Sequence, residues 1–232
     1  MTLRSSLALS ALAILALCSL CIPALAYSPD ANQWYNQGTA AITAGNNTAA
    51  IQAFDQAITL EPSYFEAWDA KADALNRDGQ FSDALSASDR ALGINPEYVQ
   101  GWINQGQILY NIGYYYEDQK TDLTKANEYY SQQLLAFEKA ISLDPASADA
   151  WFNKGYALAG MKRYDEAIAA FDKVKEINPD YPKIDQNKKI AQQLHDQATP
   201  DSMKFLPVIA LIAVVIIGIA IWIVFLREKK DE

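Results

Sequence analysis

The sequence predicts an all-α protein, a solenoid of helical hairpins, and two repeated features support this. Four similar decapeptides occur along the chain: AFDQAITLEP at 53–62, ASDRALGINP at 87–96, AFEKAISLDP at 136–145 and AFDKVKEINP at 170–179. Their closing prolines lie 34, 49 and 34 residues apart, and four tryptophans, at 34, 68, 102 and 151, lie 34, 34 and 49 residues apart. A period of this length is typical of stacked two-helix units that share one core.

Each 34-residue unit is predicted to contain two antiparallel helices. When the tryptophan is numbered position 4, position 8 holds Gly38, Ala72, Gly106 and Gly155, and position 24 holds Phe54, Ser88, Phe137 and Phe171. Small residues at positions 8 and 20 would let the helices approach closely, while large residues at positions 4 and 24 would fill the space between them. The decapeptide is then the second helix, and it ends there because the residue before a proline avoids the helical region.

This pattern closely resembles the tetratricopeptide repeat family, through W, G/A, A, F, A and P at fixed offsets. The resemblance covers 31–181 and implies a right-handed superhelix of four repeats, at 31–64, 65–98, 99–147 and 148–181. The chain departs from the family at position 7, where the usual leucine is replaced by Gln37, Lys71, Gln105 and Lys154. It also departs at position 11, where the usual tyrosine is replaced by Ala41, Leu75, Leu109 and Leu158.

The third repeat carries 15 extra residues, since its prolines are 49 rather than 34 residues apart. We predict a first helix at about 100–112, a longer turn over 113–121 and a lengthened second helix over 122–143. Thr121 is the predicted N-cap, with Thr124 as the alternative. The insert, at 114–128, and the residues beside it supply five tyrosines: Tyr114, Tyr115, Tyr116, Tyr129 and Tyr130. After the fourth repeat, 183–197 is predicted to be a polar capping helix with an apolar stripe.

The two ends of the chain predict export and anchoring. Residues 1–26 contain one charge, Arg4, an apolar run, and Ala24-Leu25-Ala26, which is the layout of a signal peptide with a small-residue cleavage site. An uncleaved N-terminal anchor is the alternative. Residues 205–226 hold 22 residues without a charge, long enough for a transmembrane helix. The basic tail at 227–232 favours a cytoplasmic end, so we expect a single-pass type I protein with its repeats on the extracytoplasmic side.

Composition excludes several classes of function. Residues 27–204 contain 25 acidic and 15 basic side chains, a net charge of −10, which disfavours binding to nucleic acid. The two cysteines, Cys18 and Cys21, lie in the signal segment, so no disulfide is expected in the mature chain. The single histidine, His195, has no cysteine or second histidine to join it in a metal site or triad. No catalytic or phosphate-binding motif is present, so we expect no enzyme activity, no cofactor and no metal.

By resemblance, the partner-binding surface is the concave groove formed by the first helices. The residues at its usual positions are Asn32, Tyr35, Thr39, Glu66, Asp69, Asp73, Gln100, Gln107, Tyr110, Phe152 and Tyr156. They do not match the basic carboxylate clamp of the family, so acidic chaperone tails are not expected as ligands. Glu66, Asp69 and Asp73 share one helix face, which suits a basic partner with apolar anchors, although a solvated face is the simpler interpretation.

The sequence therefore predicts a membrane-anchored scaffold that binds a protein or peptide partner. The alternative is a structural protein that self-associates through the tyrosine-rich insert or the transmembrane helix. Asn46-Asn47-Thr48 is a glycosylation sequon on the exported side, so Asn46 is either a glycosylation site or simply part of a helix N-cap.

Overall fold

The structure is a computed structural model, and it describes residues 27–198. These residues form nine α-helices and no strand: α1 Pro29–Thr43, α2 Asn47–Leu60, α3 Phe65–Arg77, α4 Phe81–Ile94, α5 Val99–Asp118, α6 Leu123–Leu143, α7 Ala148–Gly160, α8 Tyr164–Ile177 and α9 Ile184–Ala198. The prediction of an all-α protein made of helical hairpins is confirmed for this part of the chain. The helices form two compact units, divided after Pro96.

The predicted signal peptide at 1–26, transmembrane helix at 205–226 and tail at 227–232 lie outside the described residues. Between residues 27 and 198, no helix has the length and hydropathy needed to span a bilayer.

In the first unit, two hairpins pack in sequence, because α2 contacts both its own partner α1 and the following helix α3. Its core combines small and aromatic residues. Ala31, Ala57 and Ala67 are fully buried around Tyr64, and Ala50 packs with Phe54 and Ala74.

In the second unit, α6 contacts both α5 and α7, and α9 packs on the last hairpin. Leu158, Phe171 and Val174 form the centre of a core that α9 covers with Ile184 and Ala191. The polar helix predicted after the fourth repeat therefore buries its apolar stripe only in part: Ile190 and Leu194 remain 44% and 37% exposed.

A glycine–phenylalanine contact fixes the distance between the two helices of a hairpin. Gly38 lies against Phe54 and Gly155 against Phe171, so close that a Cβ built on either glycine would lie 2.5 or 2.7 Å from the ring. Gly106 meets Phe137 in the same way. The prediction that small residues at position 8 allow close approach is confirmed.

The tryptophans at position 4 do not fill the hairpin interior as predicted. Trp34 is 37% exposed and the other three are half-buried, whereas the phenylalanines at position 24 are about 1% exposed. The indole N–H of Trp68 donates to the Pro62 carbonyl at 3.1 Å, and that of Trp151 donates to the Pro145 carbonyl at 3.0 Å. These two rings therefore sit beside the preceding decapeptide, where each indole N–H finds a partner.

The lysines at position 7 accompany these tryptophans. Lys71 lies over the Trp68 ring at 5.5 Å and pairs with Asp55 at 2.6 Å, while Lys154 lies over Trp151 at 5.7 Å and pairs with Glu138 at 3.0 Å. Asp55 and Glu138 occupy the same position of the first and third decapeptides, AFDQ and AFEK. At Lys71 and Lys154 the departure from leucine thus has a physical reason, because the lysine lies over the indole while its ammonium pairs with the preceding hairpin.

The insert lengthens both helices of its hairpin, which differs from the prediction. Helix α5 has 20 residues and α6 has 21, each seven more than α7 with 13 and α8 with 14. The predicted long turn over 113–121 is therefore wrong, since α5 continues to Asp118. The N-cap is neither Thr121 nor Thr124 but Asp122, whose carboxylate accepts from the Lys125 amide at 3.0 Å.

Seven residues are two helical turns, so the extension keeps the same faces in contact. Gly113, seven residues after Gly106, lies against the ring of Tyr130, seven residues before Phe137. The insert thereby repeats the glycine–aromatic contact two turns further along the hairpin.

Candidate functional site

The second unit contains a cleft with a volume of about 440 Å³. It lies at the C-terminal end of α7, and the helices on either side, α5 and α9, both contact α7. Residues of the first helices α5 and α7 therefore line the cleft together with residues of α9.

The α5 side of the cleft is aromatic. Tyr110, Tyr114 and Glu117 are spaced by four and three residues, so they share one helix face. The ring centroids of Tyr110 and Tyr114 are 6.5 Å apart, and Tyr130 of α6 adds a third ring 6.1 Å from Tyr110. The Tyr130 hydroxyl donates to the Glu117 carboxylate at 2.6 Å, which joins the two lengthened helices.

The opposite side is aliphatic. Ile190 and Leu194 of α9 line it, with Met161 at the end of α7. Tyr156 is 55% exposed and Tyr114 is 53% exposed, although both lie in a concave surface. Large side chains that stay this accessible in a cleft are available to a ligand.

The cleft disfavours negative charge. Burial raises the pKa of Tyr110, and the neighbouring Tyr156, Tyr114 and Glu117 raise it further. Burial and the hydrogen bond to Glu117 likewise raise the pKa of Tyr130. Both phenols therefore remain neutral hydrogen-bonding groups at physiological pH.

Of the groove residues predicted in the second unit, Tyr110 and Tyr156 line the cleft. Phe152 does not, because its ring packs 5.9 Å from Phe171 and 5.0 Å from Tyr181. Gln100 and Gln107 are exposed on α5, and the Gln100 amide donates to Asn104 at 2.8 Å.

In the first unit, the predicted groove residues are largely engaged in structural contacts. Asn32 accepts from the Tyr64 hydroxyl at 2.8 Å and donates to the Tyr27 carbonyl at 3.0 Å. Tyr35 stacks on Tyr64 with ring centroids 5.1 Å apart. Thr39 is exposed, and its hydroxyl donates to the carbonyl of Tyr35 in its own helix.

The predicted acidic face of α3 is not an open patch of charge. Glu66 accepts from the Tyr27 hydroxyl at 2.9 Å, and Asp73 pairs with Arg77 at 2.8 Å. Asp69 is only 4% exposed. A basic ligand would find little free carboxylate here, so the cleft of the second unit is the stronger candidate site.

Several cleft residues were missed by sequence reasoning. Tyr130 is one, and the signal for it was present: the separation of seven residues repeats the Gly106–Phe137 pair at Gly113 and Tyr130. Glu117 is another, and so are Ile190 and Leu194, whose stripe was interpreted only as the buried face of a cap.

Two further predicted positions have simple surroundings. Asn46 is exposed, and its side chain accepts from the Ala49 amide at 3.0 Å as the N-cap of α2. Its glycosylation stays a prediction. His195 is half-buried beside Asp165, with 3.1 Å between Nδ1 and the carboxylate. Within residues 27–198, no group of three or more His, Cys, Asp or Glu side chains is placed to hold a metal ion.

Two segments of the chain match models of the tetratricopeptide repeat, residues 35–99 and residues 148–181. The first, second and fourth predicted repeats are therefore confirmed as tetratricopeptide repeats, and the third, at 99–147, lies outside the matched segments. No curated protein matches the sequence of the chain.

Solved structures share the fold at low sequence identity. TTC0263 from Thermus thermophilus is 18% identical, with a TM-score of 0.59 over 80% of this chain and 99% of that one. MamA from Desulfovibrio magneticus RS-1, from residue 41 to its end, is 20% identical, with a TM-score of 0.57 over 82% and 98%. YrrB, a tetratricopeptide repeat protein described as having an unusual peptide-binding site, is 19% identical, with a TM-score of 0.52 over 73% and 79%.

Proposed function

Because the chain contains tetratricopeptide repeats, we propose that it is a scaffold that binds a segment of a partner protein in the cleft of its second unit. The observation that carries this proposal is the group of exposed large side chains in a concave surface, Tyr114 and Tyr156 on one side and Ile190 and Leu194 on the other. A cleft of about 440 Å³ accommodates a few side chains of an extended or helical segment. The peptide-binding site described for YrrB is in keeping with this use of the fold.

The partner segment is expected to be apolar in part. Aromatic side chains in a well-packed pocket are the usual anchors of protein interfaces, because they bury much area for little loss of conformational entropy. Tyr156 belongs to the repeat itself and faces the cleft from α7, so it is the anchor we expect to matter most.

Selection of peptides on the purified protein tests this proposal. The full chain, held in mild detergent, would be exposed to a phage-displayed library of random 15-residue peptides. We expect a family of binders whose affinity falls about tenfold or more in Tyr156→Ala, since loss of an aromatic anchor costs about 1.4 kcal/mol or more. Leu135→Ala is the control, because Leu135 is 62% exposed on α6 and does not line the cleft. Equal binding by both variants would contradict the proposal.

The site of action that we propose is the outer face of a membrane. The layout of 1–26 supports export, and the uncharged run at 205–226 with Arg227, Lys229 and Lys230 after it supports one transmembrane helix with a cytoplasmic tail. The cleft would then face the extracytoplasmic space, on a domain tethered close to the bilayer.

Labelling of single cysteines tests this orientation. Ser131 is exposed on α6, so Ser131→Cys should react with a membrane-impermeant maleimide in intact cells, whereas Glu228→Cys should react only after the cells are opened. The same two variants in opened cells show that both thiols are reactive. Labelling of the tail but not of α6 in intact cells would contradict the type I orientation.

Self-association remains the second candidate function, and exposed leucines on the lengthened hairpin favour it. Leu123 and Leu135 of α6 are 61% and 62% exposed, outside the cleft. Light scattering coupled to size-exclusion chromatography would distinguish the two functions: a dimer that Leu123→Asp and Leu135→Asp convert to a monomer would favour self-association.

A further inference from the structure

The insert changes the chemistry of the cleft as well as its depth. Tyr114 and Glu117 belong to the two turns added to α5. Tyr130 of α6 lies against Gly113 of α5, seven residues before Phe137. Together with Tyr110 they form the aromatic end of the cleft, whereas Ile190 and Leu194, which also line it, are aliphatic.

The aromatic end has the character of a site for a cation. Among the cleft-lining side chains in the described part of the chain, Glu117 is the only charged one. The faces of Tyr110 and Tyr114 are electron-rich, and a cation within about 6 Å of such a ring centroid is attracted to it. The charge of the predicted exported region, residues 27–204, is −10 by sequence, so a basic ligand would also be drawn towards it at long range.

The same hairpin already binds ammonium groups to tyrosine faces away from the cleft. Lys120 lies 5.5 Å from the centroid of Tyr115, and Lys125 lies 5.1 Å from that of Tyr116. Neither of these rings lines the cleft. Tyrosine rings of this hairpin therefore already contact cations. We infer that Tyr110 and Tyr114, which line the cleft, can contact a cation of a ligand in the same way.

We propose that the insert adds a subsite for one lysine or arginine side chain of the bound partner segment. The cation lies against Tyr110 and Tyr114 and close to the Glu117 carboxylate, while apolar residues of the same segment contact Ile190 and Leu194. This inference rests on the proposed function, since it assigns the class of side chain that the cleft prefers. The preference for basic partners is thereby assigned to Glu117, and not to the acidic face of α3.

The peptides selected on the full chain test the subsite. We expect the Tyr156-dependent binders to share one lysine or arginine next to apolar residues. Replacement of that residue by methionine keeps most of the alkyl stem and removes the charge, and it should weaken binding about 3- to 30-fold, as expected for loss of a cation–π contact.

The variant Glu117→Gln tests whether the preference for a basic residue depends on the charge of Glu117. Glutamine still accepts the Tyr130 hydrogen bond, so the hairpin is retained while the charge is removed. We expect the change from lysine or arginine to methionine in the peptide to cost less in this variant than in wild type, because the contribution of the Glu117 charge is already gone while the tyrosine rings remain. Asp118→Asn, the same loss of charge at the adjacent residue outside the cleft, should leave the full cost in place.

The outcomes separate the subsite from the proposed function. Tyr156-dependent binders without a shared basic residue, or an equal cost of the methionine change in wild type and Glu117→Gln, would overturn the subsite and leave the cleft as a binding site. Binding that is insensitive to Tyr156→Ala would overturn the proposed function and the subsite with it.

Discussion

Position 8 and position 24 of the repeat hold matched side chains throughout the described chain. A glycine faces a phenylalanine in three repeats, at Gly38, Gly106 and Gly155, and each ring is about 1% exposed. In the second repeat both positions change together, to Ala72 and Ser88, and both are fully buried. A larger residue on one helix is thus compensated by a smaller one on the other, which keeps the two axes at a similar separation.

This compensation predicts that Gly38→Ala destabilises the first unit. A Cβ at Gly38 would lie 2.5 Å from Cε1 of Phe54, and the buried ring has no space to move into. We expect a loss of about 1–3 kcal/mol in the free energy of unfolding, measured by urea denaturation. The matched control is Gly93→Ala in α4, where a Cβ would meet nothing within 4 Å. That variant should be neutral or gain up to about 1 kcal/mol, since alanine favours a helix. Equal effects of the two substitutions would contradict this account.

At the scale of the helices, the sequence predicted the structure well where a residue type has one structural effect. The closing prolines and the glycines at position 8 identified the second helices and the hairpin contacts, because each acts through local geometry. The insert was harder to interpret, since GYYYEDQK contains a glycine that suits either a turn or a helix. Only the contact between Gly113 and Tyr130 shows that it lies within the hairpin.

The residues of the candidate site were predicted in part for the same reason. Tyr110 and Tyr156 follow from the register of the repeat. Asp69 was placed on the groove by that register, but its burial depends on packing that periodicity does not specify. Phe152 was also placed on the groove by the register, but its ring packs against Phe171 and Tyr181.

Removal of residues 114–128 should leave a folded hairpin of ordinary length. In the other repeats the residue at position 15 has a left-handed backbone: φ is 74° at Gly45, 79° at Gly79 and 61° at Lys162. The deletion brings Gly113 to this position, and glycine adopts that conformation without strain. We expect helical circular dichroism in proportion to length and a single cooperative melting transition.

The deletion also separates the two roles of the insert. Tyr114 and Glu117 are removed, so the shortened protein should lose any preference for a basic residue in the peptides it binds. It should still bind apolar peptides through Tyr156, Ile190 and Leu194. Loss of cooperative folding would instead show that the added turns are part of the core of the second unit.

At the scale of the whole molecule, the two units differ in how their polar and aromatic side chains are used. The first unit uses its tyrosines and acidic side chains internally, as in the contacts of Tyr27 with Glu66 and of Tyr64 with Asn32. The second unit leaves Tyr110, Tyr114 and Tyr156 accessible. We therefore expect the specificity of the scaffold to reside in the second unit, with the apolar run at 205–226 keeping it at the membrane.

Site-specific photocrosslinking tests this central claim most directly. A photoreactive phenylalanine analogue would replace Tyr156 in one full-length variant and Leu135 in another, and each protein would be irradiated with membranes from its own cells. We predict a discrete adduct from position 156, which mass spectrometry identifies as a segment of one partner protein, and no such adduct from position 135. An adduct from position 135 alone, or adducts only between two copies of this chain, would contradict the proposal that the cleft binds a partner.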